Sequence, residues 1–312
     1  MKIVIIGYFT DFSKTVITRE FPDDWKIDIV TPEEVHLSVE DADIIIPENN
    51  IVDSELLSKA KKLKLVQTGA GFDNVDIETC TKKGVWVSNA AGVNAVAVAE
   101  HVMAFIFSWY KNIPYLDNYM KNKKDEKSLF YTGSELSGKT IGIIGVGAIG
   151  KNVAKYCNAF GMKVLGYDLK KISTAENIEF VDLDTLYMKS DIITVHIFLN
   201  DKTKHMINSD VFKKMKKDAI IINAARGPIV DEKALISALE NQDIAGACLD
   251  VFEKEPLATD SALRYFNNVI LSPHTAGMPD GLNFHKKRFA YFLSNINKVM
   301  AGKEPDNALN KV

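Results

Sequence analysis

The stretch Gly145-Val146-Gly147-Ala148-Ile149-Gly150 decides the fold of this chain. It follows Thr140-Ile141-Gly142-Ile143-Ile144, an apolar run of the kind that forms a short buried parallel strand. It leads into Lys151-Asn152-Val153-Ala154-Lys155-Tyr156-Cys157-Asn158-Ala159-Phe160, which reads as a helix. Gly145 permits the tight turn, Gly147 lets backbone approach a pyrophosphate, and Gly150 allows helix and strand to pack closely. The helix N-terminus then presents N–H groups and the positive end of its dipole to phosphates. Lys163-Val164-Leu165-Gly166-Tyr167-Asp168 reads as the next strand and ends in an acid eighteen residues beyond Gly150. A carboxylate at that place binds ribose hydroxyls and repels a 2′-phosphate. A GxGxxG alone is a weak signal, but with its strand, helix and acid it points to a dinucleotide site.

Beyond the fingerprint, strand signals recur at residues 191–197, 219–225, 245–252 and 268–272, with helices at 182–189, 208–215 and 231–241. Asp231 is placed to cap the last of these, and Glu232 suits its first turn. Before the fingerprint lies a separate run: strands at residues 2–6, 26–30, 43–46, 63–68 and 85–88, helices at 32–37, 53–63 and 76–83. Such alternation predicts parallel sheets covered by helices, here two doubly wound α/β domains. Residues 93–109 are apolar on nearly every face, as in a helix buried between domains or subunits. Residues 119–138, with Lys121-Asn122-Lys123-Lys124-Asp125-Glu126-Lys127, read as a solvated loop or as an arm toward a second subunit. The closing helix, residues 280–301, has Phe284, Phe289, Phe292, Ile296 and Val299 at helical spacing, and with no strand after it is expected to pack back on the first domain.

The 312 residues suffice for two domains, and 46% apolar with 25% charged composition is that of a packed protein. A net charge of −3 gives no case for nucleic acid or an anionic membrane as partner. Cys80, Cys157 and Cys248 are too few and scattered for a disulfide framework or zinc site. No secretory signal or transmembrane run is visible, so a cytoplasmic location is expected. No HExxH motif occurs, and no metal is expected.

Three features at strand ends carry chemistry. Asn223-Ala224-Ala225-Arg226-Gly227 places a guanidinium fork, suited to a carboxylate, where a strand becomes a loop. Leu249-Asp250-Val251-Phe252-Glu253-Lys254-Glu255-Pro256 ends a strand with acids, and Ser272-Pro273-His274-Thr275-Ala276-Gly277 leaves another with a histidine. A glutamate beside a histidine stabilises imidazolium, a pairing fit for proton transfer near neutrality. The turn Gly69-Ala70-Gly71 lies where open α/β sheets bind ligands, and equally suits an ordinary βα connection. His36, His205 and His285 read as solvated, His101 as a buried partner of Glu100, and His196 as a strand-end residue near the nucleotide or merely in the core.

Together these motifs resemble the D-isomer-specific 2-hydroxyacid dehydrogenases, of the phosphoglycerate dehydrogenase and glyoxylate/hydroxypyruvate reductase type, from about Leu63 to Gly277. Gly71-Phe72-Asp73-Asn74-Val75-Asp76, Ala97-Val98-Ala99-Glu100-His101 and Val230-Asp231-Glu232 add to the likeness. The resemblance implies a flavodoxin-like substrate domain (residues 1–92 with 282–312), a Rossmann NAD domain (93–281), a cleft that closes over substrate, and a homodimer formed through the region after Val93. It implies that Arg226 binds the substrate carboxylate, helped by Gly69, Ala70 and Gly71, and that His274 is the acid–base group with Glu255 as partner. Gly145, Gly147, Ala148, Ile149, Gly150, Asp168, His196, Ile197, Thr203, Ala224, Ala225, Asp250 and His274 would line NAD. Lys170 and Lys171 after Asp168 leave NADP open.

The chain departs from the family pattern in places. Phe198 stands where a proline is frequent, and Gln67 where phosphoglycerate-specific members carry arginine. A phosphorylated substrate is therefore disfavoured, although phosphoglycerate dehydrogenase stays open as the specific activity. Substrate choice is expected in loops such as Asn49-Asn50-Ile51. The same fold also serves nucleotide-sensing regulatory proteins, and fold alone does not separate them from enzymes.

Overall fold

The computed structural model describes residues 1–48, 50–122, 133–170, 176–277 and 282–312. It forms two compact units, Met1–Asn94 with Met278–Val312, and Ala95–Gly277. Asn49, the lysine-rich residues 123–132, Lys171, residues 278–281 and the side chains of Phe284 and His285 lie outside the described residues.

The first unit holds strands β1 (Lys2–Ile6), β2 (Lys26–Val30), β3 (Ile44–Ile46), β4 (Leu65–Gln67) and β5 (Trp86–Ser88), in the order β2-β1-β3-β4-β5, all parallel. That is the flavodoxin-like order. β1 and β3 are buried along their whole length, which explains why they read as uninterrupted apolar runs. Helices α1 (Asp11–Thr18), α2 (Ser54–Lys59) and α3 (Ile77–Lys82) begin at Thr10, Asp53 and Asp76, whose side chains accept the N–H of Ser13, Leu56 and Thr79. The closing helix, Leu282–Met300, puts Phe289, Phe292, Ile296 and Val299 into the core formed by Ile3, Ile5, Ile44 and Leu65. Its Asn295 amide donates to Gln67 and Ser88, and the tail returns to β5 through Leu309 N–H to Val87 O at 2.8 Å.

The second unit opens with α4 (Ala95–Tyr110) and α5 (Ile113–Asn122). A seven-stranded sheet follows: β6 (Thr140–Ile144), β7 (Lys163–Tyr167), β8 (Glu179–Phe180), β9 (Ile192–Val195), β10 (Ile220–Asn223), β11 (Gly246–Leu249) and β12 (Val269–Leu271). The order is β12-β11-β10-β9-β6-β7-β8, all parallel. Chain direction along the sheet reverses beside β6, so β6 and β9 flank the switch point where such sheets bind ligands. α6 (Ala148–Ala159) and α4 cover one face; α7 (Leu183–Lys189), α8 (Ser209–Lys214) and α9 (Glu232–Glu240) cover the other. Asp231 caps α9 by accepting the N–H of Ala234.

Several expectations are corrected. Residues 32–37 form only one 3-10 turn, Val35–Leu37, which has no side-chain cap and buries none of its residues, so nothing offsets the cost of nucleating a longer helix. α1 and α5 are not among the expected helices; Ile17 is the only buried residue of α1, and α5 has none. α5 replaces the start of the loop expected from residue 119. The two-residue β8 is too short for any pattern to reveal.

Candidate active site

β6 ends at Ile144, and Gly145 turns the chain at φ +94°, beyond the reach of ordinary L side chains. A Cβ there would lie 2.4 Å from the carbonyl oxygen of His196, and one at Gly150 would lie 2.2 Å from that of Gly145. Those two glycines let strand, turn and helix close on one another. Gly147 differs: a Cβ there would meet nothing within 4 Å. It is the N-cap of the twelve-residue α6 and supplies no side-chain cap, while Gly147 and Ala148 are exposed. The turn therefore leaves an open cradle at an uncapped helix N-terminus, which fits a pyrophosphate.

Asp168 follows β7, as its strand-end position requires. One carboxylate oxygen accepts the N–H of Val146 at 2.8 Å, and the other that of Lys170 at 3.2 Å. Asp168 thus pins the glycine turn. We expect Asp168→Asn, which keeps an acceptor but loses the charge, to move the ratio of NAD to NADP affinity about tenfold toward NADP. Titration of both cofactors by fluorescence checks this, and an unchanged ratio would take the acid away from the ribose.

Around β9 the expected lining residues divide. Ile197 is half-buried against the core. His196 is half-buried with its ring nitrogens away from solvent: desolvation pushes its imidazole down to about 3, so it is neutral, with Nε2 paired to Thr194 Oγ1 at 3.0 Å. Its Nδ1 has no hydrogen-bond partner among the described residues. Its backbone carbonyl bounds the glycine turn. Thr203 donates its hydroxyl to Phe198 O at 2.7 Å and accepts the N–H of Asn200, so it shapes the loop after β9.

Arg226 leaves β10 through a turn that Asn223 holds. The Asn223 amide donates to Arg226 O at 2.9 Å and its oxygen accepts the N–H of Ala225 at 3.1 Å. The guanidinium Nη1 donates to Ala225 O at 2.8 Å. Ala224 and Ala225 are half-buried beside it. At Gly227 an added Cβ would fall 1.8 Å from Phe252 O, so the arginine turn and the segment leading to Glu255 are in direct backbone contact.

Glu255 Oε2 and His274 Nδ1 lie 2.6 Å apart, and Glu255 Oε1 accepts the N–H of Phe252 at 3.1 Å. Partial burial opposes ionisation of Glu255, but the His274 hydrogen bond, the Phe252 amide, and the charges of His274 and Arg226 outweigh it and hold the carboxyl below its ordinary value. Its pairing therefore contributes fully above the ordinary carboxylate pKa and is lost only as pH falls through the depressed one. With Nδ1–H donating to this carboxylate, Nε2 is the nitrogen left to exchange a proton with a ligand. A cavity of about 600 Å³ adjoins the pair, walled by Phe252, Pro256, Leu257, Leu271 and Pro273.

Asp250 is 1% exposed, and its carboxylate accepts from Ser272 Oγ, Thr275 N and Ala276 N at 2.6, 2.8 and 2.9 Å. It organises the His274 loop. His101 pairs with Ser272 Oγ at 2.9 Å and not with Glu100, which is exposed. His205 is not merely solvated: Nε2 lies 2.7 Å from Glu253 Oε1. Both corrections involve partners far apart in sequence, and the only hint was Ser272 lying two residues before His274. In the first unit, Gly69-Ala70-Gly71 follows β4, with Ala70 O held by the Asn89 amide at 2.9 Å and Gly69 O by Ala90 N–H at 2.8 Å. Gln67 is fully buried and tied to Asn295. No group of three or more metal-ligating side chains occurs among the described residues.

Comparison with known proteins bears on this geometry. Residues 103–276 match the model of the D-isomer specific 2-hydroxyacid dehydrogenase NAD binding domain. The chain is 40% identical over 268 residues to a glyoxylate reductase of Thermofilum pendens, covering 83% of this chain and 78% of the relative. It is 38% identical over 287 residues to a D-3-phosphoglycerate dehydrogenase of Methanocaldococcus jannaschii, covering 90% of this chain but only 54% of that longer protein. The fold superposes on D-lactate dehydrogenase of Aquifex aeolicus complexed with NAD and lactic acid, with TM-score 0.82, 30% identity and 99% of each chain covered. It also superposes on an acyclic imino acid reductase in complex with NADPH and D-arginine, with TM-score 0.84, 31% identity, and 99% of this chain and 100% of that one covered.

Proposed function

The chain belongs to the D-isomer-specific 2-hydroxyacid dehydrogenase family and is an NAD-dependent oxidoreductase, and from that premise we propose that it reduces a small, unphosphorylated 2-oxoacid to the D-2-hydroxyacid. The observation that carries this reading is the His274–Glu255 pair at 2.6 Å under the charge of Arg226. A sensing protein needs no proton donor, and this arrangement is one. Gln67 supports an unphosphorylated substrate, because it is uncharged, fully buried and occupied by Asn295.

In this reading Arg226 holds the substrate carboxylate through its planar fork and orients the carbonyl. His274 Nε2 gives its proton to the carbonyl oxygen as charge develops there, and Glu255 stabilises the imidazolium beforehand and fixes the ring's orientation. In oxidation the same nitrogen takes the hydroxyl proton. Bound nicotinamide supplies or accepts the hydride. The cradle at Gly147, with Ala148, Ile149 and Asp168, would hold its pyrophosphate and ribose. Residues 1–92 with 282–312 would serve as the substrate domain, offering the amides of Ala70 and Gly71, and residues 93–281 as the cofactor domain.

A homodimer is part of the proposal, supported by the exposed Val96, Ile113, Tyr115 and Met120 on α4 and α5; sedimentation at the monomer mass would remove it. No helix among the described residues is long and apolar enough to cross a membrane. The three cysteines are free and buried, which suits the cytoplasmic setting we expect.

The deciding assay mixes the protein with NADH or NADPH and a panel of glyoxylate, hydroxypyruvate, pyruvate, branched and aromatic 2-oxoacids, and 3-phosphohydroxypyruvate. Consumption of reduced nicotinamide with the small unphosphorylated acids is expected. Tight NADH binding without turnover on any acid would instead favour a sensing role.

A further inference from the structure

His274 sits at φ +54°, a conformation that a non-glycine residue holds only when its surroundings impose it. On the backbone side one residue supplies them. Asp250 takes three consecutive amides: its backbone carbonyl accepts His274 N–H at 2.7 Å, and its carboxylate accepts those of Thr275 and Ala276. The direction of the Asp250 carboxylate therefore sets the backbone of the loop from which His274 reaches Glu255.

What holds that carboxylate is a chain running to helix α4. Ser272 Oγ lies 2.6 Å from Asp250 Oδ1, and His101 Nε2 lies 2.9 Å from the same Ser272 oxygen. A carboxylate only accepts, so the Ser272 hydroxyl proton goes to Asp250. The serine oxygen is then an acceptor, and His101 must donate from Nε2. The polarity of the whole chain follows, His101 to Ser272 to Asp250, with no freedom left in the serine rotor. The His101 ring is itself set edge-on against Phe105, with centroids 4.5 Å apart and planes at 83°. Its anchor is thus the buried face of α4.

We propose that His101 is a positioning residue for the reaction, acting through Ser272 and Asp250 on the loop that carries His274. This rests on the function proposed above. His101 touches no reacting atom; its part is to supply one N–H in a fixed direction, and any side chain that donates from the same place would serve.

The test compares His101→Phe, His101→Gln and Ser272→Ala, and the double variant His101→Phe/Ser272→Ala, in kcat, KM, NADH affinity and thermal midpoint. His101→Phe and Ser272→Ala should each lower kcat between about tenfold and a hundredfold, as expected for a misplaced catalytic group, with NADH affinity unchanged. The Gln variant, whose amide donates, should recover to within about threefold of the parent. The double variant should be no worse than the poorer single one, because both break one chain. Full kcat in His101→Phe, or a Gln variant as poor as Phe, overturns the proposal. Should the parent chain turn over no 2-oxoacid, the functional reading fails, and ¹⁵N ring signals of His274 decide the relay by itself. Signals moved by His101→Phe and Ser272→Ala but not by His101→Gln support it; signals unmoved by all three refute it.

Discussion

His274→Ala is expected to lower kcat for 2-oxoacid reduction by about two to four orders of magnitude, the usual worth of a positioned general acid. NADH affinity should change less than about twofold, because the glycine cradle and Asp168 follow β6 and β7 while His274 follows β12. Glu255→Gln should act in the same direction but less severely, since the ring would remain while losing the carboxylate 2.6 Å from Nδ1. Normal turnover in His274→Ala, measured by stopped-flow loss of reduced nicotinamide, would remove it as the proton donor.

Arg226→Gln should cost about a hundredfold to a thousandfold in kcat/KM, in line with removing one partner from a desolvated, hydrogen-bonded charge pair. Arg226→Lys should recover only part of this, because an ammonium cannot reproduce the two parallel bonds of the guanidinium fork. A second effect follows from the charge that Arg226 exerts on Glu255. Without it the Glu255 carboxyl rises toward its ordinary value. The Glu255–His274 pair would then be lost at a higher pH on acidification, and the acid limb of the rate profile should shift upward. Steady-state profiles of parent and variant check both. A Gln variant with unchanged KM and kcat would mean that the substrate carboxylate is held elsewhere.

Much of this molecule is legible in one dimension. Strand, glycine turn, helix and acid at residues 140–168 are local features, and local features follow from periodicity and from the steric needs of Gly145 and Gly150. The buried parallel strands show as apolar runs for the same reason, since both of their faces are covered. Arg226, Glu255 and His274 announce themselves as polar groups just past such runs, the edge at which open α/β sheets bind ligands.

What sequence could not give is which of these ends meet. The order β12-β11-β10-β9-β6-β7-β8 sets β11 beside both β10 and β12, and only that adjacency brings Phe252 against Gly227 and Asp250 beneath the His274 loop. His101 lies 171 residues from Ser272, and His205 lies well away from Glu253 in the chain; nothing in their neighbours predicts either pairing. His196 shows the same dependence on packing, since desolvation of its ring, which keeps it neutral, is not readable from its neighbours in sequence. Periodicity and residue type determined the elements, the cofactor fingerprint and the candidate chemistry, because these depend on near neighbours. Tertiary structure decided the hydrogen-bond partners, the burial and the charge states, because those depend on groups that only the packing of the sheet brings within 3 Å of one another.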